Sequence, residues 1–314
     1  MKILVTGAAG AIGSHLAERL MKEGHEVVAL DCLTDYYDLS IKEANIEEVI
    51  MSGASFARLD LSKDDLDNVM EGVEVIYHCA AQPGISAATP FELYERNNII
   101  ATMRLLEAAK KNPSLKLFVN VATSSIYGTY ANGSEESEPR PTSHYGVTKL
   151  AAEQLVMALN REIGFPAVSL RLFSVYGERE RPDKLYHKLI RAIVEGHEFP
   201  LHEGSRDHIR SYSYIGDIIN GMIATLEARD KVIGEIINLG TDVTHTTGEG
   251  IDIIEEILGK KTQFVMHPPR PGDQKETTAD ISKARALLGY APEATLYDGL
   301  SNQVLWYQTH RQGK

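Results

Sequence analysis

The chain has 314 residues, a net charge of -12 and an ordinary globular composition, enough for one large domain or two modest ones. Its acidic balance excludes nucleic acid and anionic membrane as main partners, but leaves room for an anionic small molecule met by local arginines. The two cysteines, Cys32 and Cys79, have no metal-ligand spacing and point to a reducing compartment, and no metal site is expected.

Met1 leads directly into Lys2-Ile3-Leu4-Val5, and no run reaches the roughly 20 apolar residues needed to span a bilayer. A soluble cytoplasmic protein is the expectation. Lys2 to Thr6 reads as a buried strand and Ala11 to Glu23 as a helix with Ile12, Leu16 and Leu20 on one face. His25 to Leu30, Ser55 to Leu59, Val73 to His78, Lys116 to Val121 and Pro166 to Leu172 read as further strands. Phe91 to Lys111 and Tyr145 to Ile163 read as long amphipathic helices. This alternation predicts an α/β fold, a doubly wound parallel sheet of the Rossmann type with helices on both faces.

Beyond Leu172 the pattern becomes irregular. Lys184 to Glu195 and Ile281 to Leu288 read as helices, and Glu235 to Asn238 as one more strand. The expected division is a dinucleotide-binding domain over 1–172, joined by a later strand near 235–239, and a smaller α/β substrate-binding lobe over 173–314.

The first strand runs into Thr6-Gly7-Ala8-Ala9-Gly10-Ala11-Ile12-Gly13. Gly7 suits a tight turn, Gly10 a close approach of pyrophosphate to backbone, and Gly13 close packing of helix on sheet. The N–H groups at the start of the helix, Ala11 and Ile12 among them, can then hold a diphosphate. Asp31 closes the second strand, where an acid accepts the adenosine ribose hydroxyls and repels a 2′-phosphate; the following Cys32-Leu33-Thr34 offers no arginine. That favours NAD over NADP. Asp60-Leu61 ends the third strand and either covers the adenine or caps the turn at Ser62.

The fifth strand runs into Val121-Ala122-Thr123-Ser124-Ser125, which puts hydroxyls at the end of the sheet where such folds bind ligands, or else serves ordinary turn chemistry. Tyr145 and Lys149 are one helical turn apart and share a face. Such a pair is commonly just a solvated helix surface. With a glycine loop and Thr123 upstream, Tyr145 is read as a base, Thr123 as a hydrogen-bonding group for the reacting oxygen, and Lys149 as the cation that lowers the phenol below its usual value.

Together these segments resemble the extended short-chain dehydrogenase/reductase family along nearly the whole chain. The glycine loop, His78-Cys79-Ala80-Ala81, Asn98, Tyr145 with Lys149, Leu170-Arg171-Leu172-Phe173 and Asp280-Ile281-Ser282-Lys283-Ala284 carry the resemblance. It implies that Ala80 and Ala81 border NAD, that Lys149 also holds the nicotinamide ribose, and that Phe173 lies near the cofactor. It also implies that Asn98 bridges strands around the site and that the two long helices form a homodimer interface.

Within the family the chain resembles nucleotide-sugar enzymes. Arg210-Ser211-Tyr212-Ser213-Tyr214 is similar to the segment whose arginine binds the nucleotide diphosphate, except that Ser211 stands where an aspartate is usual. Arg270-Pro271-Gly272-Asp273 resembles a second diphosphate and ribose contact, and a guanidinium suits both places because it forks onto phosphate oxygens. Ser125 stands where dehydratases and decarboxylases of the family carry an acid, which favours epimerisation, since nothing then has to be eliminated.

The run Val175-Tyr176-Gly177-Glu178-Arg179-Glu180-Arg181-Pro182-Asp183 resembles a loop of UDP-glucuronate 4-epimerases. Arg181 is expected to meet the C6 carboxylate, helped by Thr123, Ser124 and Ser174. The resemblance thus implies an NAD-dependent UDP-sugar 4-epimerase, acting through a transient 4-keto sugar, most of all on UDP-glucuronate and UDP-galacturonate. The alternatives are a UDP-galactose/UDP-glucose 4-epimerase, a UDP-glucuronate decarboxylase, and a non-catalytic NAD-bound scaffold.

Overall fold

The computed structural model describes residues 1–85, 89–269 and 275–311. Seven parallel strands form its central sheet, in the order Ile236–Leu239, Ala167–Leu172, Leu117–Thr123, Val75–His78, Lys2–Thr6, Glu26–Asp31, Ser55–Arg58. The chain winds outward from Lys2–Thr6 in one direction and then restarts at Val75–His78 in the other. The crevice at the carboxyl ends of these two strands is therefore the topological switch point, where a doubly wound sheet binds ligands. Thr6 and His78 are cross-strand partners there, and the Thr6 hydroxyl and His78 Nδ1 are hydrogen-bonded at 2.9 Å. Burial and the nearby Lys149 pull the His78 pKa down to about 3, so this ring is a neutral strut.

Apolar strands buried on both faces account for the two core layers. One layer packs Leu16, Leu20, Ile218 and Met222 against the sheet, and the other packs Leu105, Phe118, Val156 and Met157. The first layer draws on sequence well past Leu172. The helix Ile215–Glu227 and the helix Ser282–Leu288 lie on the sheet alongside the strand Ile236–Leu239. A third core of Tyr176, Tyr186, Leu189, Ile190, Ile251, Ile254 and Leu300 belongs to the C-terminal lobe.

The helical stretch expected over Phe91 to Lys111 is continuous but irregular. An α-turn, Phe91–Tyr94, passes through a π-helical turn, Glu95–Ile100, into the helix Ala101–Lys110. The wide turn buries Asn98, whose side chain accepts from Gln82 N at 2.7 Å and donates to Thr148 Oγ1 at 3.0 Å. Asn98 therefore ties the loop after the fourth strand to the helix of Tyr145, not strand to strand. The helix Leu39–Met51 was not evident in the sequence because polar Lys42 and Asn45 share its buried face with Ile46 and Val49.

Candidate active site

A single cleft of about 1050 Å³ runs from the glycine loop to the C-terminal lobe. Its floor is the switch point. Gly7 has φ +70°, and a Cβ there would stand 2.7 Å from Ala80 N. A Cβ on Gly13 would strike the Gly7 carbonyl. Backbone thus packs on backbone, and the cradle stays open. Gly10 caps the helix Ala11–Lys22 with no side-chain hydrogen bond, so the cap itself leaves the first-turn N–H groups available to an anion. Gly7, Gly10, Ala11, Ile12, Gly13, Asp31, Asp60, Leu61, Ala80 and Ala81 all line the cleft.

Asp31 is held rigidly, with Oδ2 accepting from Ala9 N at 3.0 Å and Oδ1 from Leu33 N at 2.8 Å. Each of its oxygens keeps further acceptor capacity, and Asp31 lines the cleft. Asp60 caps the turn, accepting from Ser62 N (2.9 Å) and Ser62 Oγ (2.6 Å) while pairing with Arg96, and it also lines the cleft. The Ser62 hydrogen bonds and Arg96 hold its carboxyl below the usual range in spite of its burial. A dinucleotide fits this half: an open backbone cradle for phosphates, a fixed acid for ribose, and apolar Leu61 beyond.

At the other end Tyr145 projects from the first turn of the helix His144–Ile163. Ser143 caps that helix by accepting from Gly146 N at 3.1 Å. A Cβ on Gly146 would come 2.7 Å from the Ser125 carbonyl, so this glycine lets the helix press onto the turn after Thr123. The Thr123 hydroxyl stands near enough to the Tyr145 phenol to favour its charged form. Lys149, one turn on, is 3% exposed and lines the cleft. Behind it Glu153 and Arg171 form a buried bidentate pair, with Arg171 Nε at 3.0 Å from Oε2 and an Arg171 terminal nitrogen at 2.6 Å from Oε1.

The electrostatics correct one expectation. The Tyr145 phenol is raised, not lowered. Burial outweighs the Thr123 hydroxyl and the positive charge of Arg181, and Lys149 is not among the groups that move it. Lys149 is itself pulled down to about 8 by burial, against the opposing pull of Cys79 and Glu153. Both shifts follow from desolvation, which disfavours a phenolate and an ammonium alike.

Of the sugar-side candidates, Thr123, Ser124, Ser125, Ser174, Arg181 and Arg210 all line the same cleft. Ser125 presents a hydroxyl where an acid was noted as missing, and its N–H donates to Thr123 Oγ1 at 3.2 Å. Ser211 is structural: its hydroxyl accepts from Ala279 N at 2.8 Å. Asn98 and Phe173 are buried and stand behind the cleft wall. Arg270 and Asp273 lie outside the described residues.

Tyr36, Tyr37, Lys42 and Tyr94 also line the cleft, as do Glu178, Glu180 and Asp183, none of which had a site role assigned from the sequence. Lys42 donates to Thr34 O at 2.7 Å and sits 4.7 Å over the Tyr37 ring. For Tyr36, Tyr37 and Lys42 the signal was the aromatic pair in the loop after Asp31, and Glu178, Glu180 and Asp183 lie in the run Val175 to Asp183. No cluster of three or more metal-ligating side chains occurs among the described residues, and no described helix is long and apolar enough to cross a membrane.

Residues 3–240 match the family described as "NAD dependent epimerase/dehydratase family". The "Uncharacterized UDP-glucose epimerase YtcB" of Bacillus subtilis (strain 168) is 38% identical over 319 residues, covering 100% of both chains. UDP-glucuronate 4-epimerase 2 of Arabidopsis thaliana is 32% identical over 330 residues, 98% of this chain and 76% of that one. Among solved structures, UDP-glucuronic acid 4-epimerase from Bacillus cereus in complex with UDP-glucuronic acid and NAD superposes with a TM-score of 0.93. It is 39% identical, over 98% of this chain and 99% of that one.

Proposed function

We propose that this chain, which belongs to the NAD dependent epimerase/dehydratase family, is an NAD-dependent 4-epimerase that interconverts UDP-glucuronate and UDP-galacturonate. The observation that carries the sugar is Arg181. It lies in the cleft wall near enough to Tyr145 for its charge to act on the phenol, so a uronate whose 4-hydroxyl meets Tyr145 has a guanidinium available to its carboxylate. The relatives named for this substrate, and the hydroxyl at Ser125, support the same reading.

The chain's own residues divide the work. Gly7 to Gly13 and Asp31 hold the dinucleotide. Bound NAD supplies a hydride acceptor and donor for the sugar C4 and a cationic ring. Tyr145 takes the proton from the 4-hydroxyl, and Thr123 hydrogen-bonds the same oxygen. Lys149 contributes an ammonium that favours the phenolate once the site is filled. The 4-keto sugar turns over in the cleft, and Tyr145 returns its proton after reduction from the opposite face. Thr123, Ser124 and Ser174 surround the carboxylate with hydroxyls, while Arg210 takes the diphosphate, together with Arg270 and Asp273.

The chain acts in the cytoplasm as a homodimer. Phe91, Leu93, Met103 and Val147 are exposed apolar side chains on the two long helices, and such a surface is usually covered by a partner. Gel filtration that returns a monomer at micromolar concentration would overturn the dimer.

The experiment that decides the reaction is incubation of the purified protein with UDP-glucuronate and, separately, UDP-glucose, with products identified by NMR. UDP-galacturonate from the first is the expected product. A pentose product would indicate decarboxylation, and loss of reactivity with UDP-glucuronate alongside conversion of UDP-glucose would overturn the uronate assignment. One observation favours that second reading, the 4-epimerisation of UDP-glucose: Asp183 already occupies one edge of Arg181.

A further inference from the structure

The loop that carries Arg181 is anchored into both halves of the molecule by two consecutive residues. Arg179 reaches the dinucleotide half. One terminal nitrogen of its guanidinium is 2.8 Å from Glu18 Oε1 on the helix Ala11–Lys22, and the other pairs with Glu48 Oε2 on the helix Leu39–Met51. Glu180 reaches the other way, where Oε2 accepts from His187 N at 3.1 Å and from Gln303 Nε2 at 2.9 Å. Both side chains are buried. Arg179 adopts φ +58°, a left-handed conformation that a non-glycine residue holds only where its surroundings fix it. Beside it His15 is kept neutral, its pKa near 4 through burial and the Arg179 charge, while His310 Nε2 lies 3.9 Å from Oε1, the other oxygen of Glu48.

We propose that Arg179 is a positioning residue for uronate recognition: by clamping the loop to the two helices that flank the dinucleotide, it sets Arg181 in the wall of the sugar pocket. The physical reason is rigidity. A bidentate-capable cation held between two helices fixes a backbone turn, and the guanidinium two residues later inherits that geometry. Glu18 and Glu48 are each about one-third exposed, so they rehydrate when Arg179 is removed and the fold survives. The inference rests on the uronate reading for its catalytic consequence, but not for its structural one.

The test uses the full-length protein with its bound cofactor and the variants Arg179→Ala, Arg179→Lys and Glu48→Gln. Hydrogen exchange of the amides over 177–184 is expected to quicken about tenfold or more in Arg179→Ala, with exchange in the strands Lys2–Thr6 and Leu117–Thr123 unchanged. Arg179→Lys should restore part of the protection, and Glu48→Gln should lose part of it. KM for UDP-glucuronate is expected to rise about tenfold while kcat changes less than about threefold, the signature of lost binding and not of lost chemistry. Unchanged exchange over 177–184 in Arg179→Ala overturns the proposal, whichever sugar the wild type accepts. Faster exchange with an unchanged KM for UDP-glucuronate overturns the link to recognition. A wild type inert toward UDP-glucuronate overturns both the uronate reading and that link, and exchange alone then decides the clamp.

Discussion

Arg181 and Asp183 form a two-pronged ion pair inside the cleft, with Nε 2.9 Å from Oδ1 and a terminal nitrogen 3.0 Å from Oδ2. This uses one edge of the guanidinium and leaves its other donors for a ligand, since arginine carries five N–H groups in a fixed fork. Asp183 therefore aims Arg181 and also moderates its charge. Burial pushes the Asp183 carboxyl up, but the Arg181 contacts prevail and hold it below the usual range, so the pair stays ionised at neutral pH.

That arrangement sets the outcome of Arg181→Ala. A charged hydrogen bond to the sugar carboxylate contributes about 1.5–3 kcal/mol, which converts to a rise in KM for UDP-glucuronate of about ten- to a hundredfold. The 4-keto form of a uronate is a β-keto acid and prone to lose CO2. With its carboxylate no longer held, more CO2 should leave, so labelled CO2 release by the variant at no more than the wild-type rate would count against this role.

Tyr145→Phe removes the proton acceptor while leaving the ring in place. Loss of a positioned acid–base group lowers kcat by about a hundred- to ten-thousandfold, and NAD binding measured by calorimetry should stay within a few-fold of wild type. The phenol is raised by burial, which has a spectroscopic consequence. After bound nucleotides are stripped, the phenolate absorbance difference between wild type and Tyr145→Phe should be flat up to about pH 10, the ordinary tyrosine value. A phenolate signal near neutrality in stripped protein would show that Lys149 alone tunes the base.

Much of the site was legible because its chemistry demands particular residue types. Only glycine tolerates Gly7's turn and Gly13's contact, an acid must close the second strand, and Tyr145 must stand one turn from Lys149. What could not be read depends on which surfaces meet. The shift of Tyr145 is set by desolvation, a property of the whole cleft. The helix Leu39–Met51 hid because Asn45 is buried to donate to Ala9 O at 2.9 Å, which breaks the apolar period. Arg179 looked like one charge among several in a polar loop. Its two carboxylates come from helices far away in sequence.

The buried pair behind the site gives a stability prediction. Arg171 is 2% and Glu153 0% exposed, and Ser169 Oγ also donates to Glu153 Oε2 at 3.1 Å. Replacing Arg171 with Met alone strands a buried carboxylate and should cost about 3–5 kcal/mol. Replacing both members with apolar residues of similar volume should recover most of that loss. Equilibrium denaturation of the single and double variants distinguishes an uncompensated charge from a simple packing defect.

Lys149 is kept at a cost to stability. Its folded pKa of about 8 lies below its ordinary 10.5, so between those values the unfolded chain binds more protons and stability rises with pH. Below about pH 8 the penalty is complete, and the shift converts to about 3 kcal/mol at most. Lys149→Met removes the buried charge at similar length. Stripped of nucleotide, the variant should be more stable than the equally stripped wild type at pH 7, with the advantage shrinking as pH rises toward 10. Denaturant unfolding of both proteins at pH 7 and pH 9.5 measures the difference. An advantage that grows with pH, or a less stable variant at pH 7, would mean that the ammonium is satisfied in the folded protein and that the low pKa does not describe it.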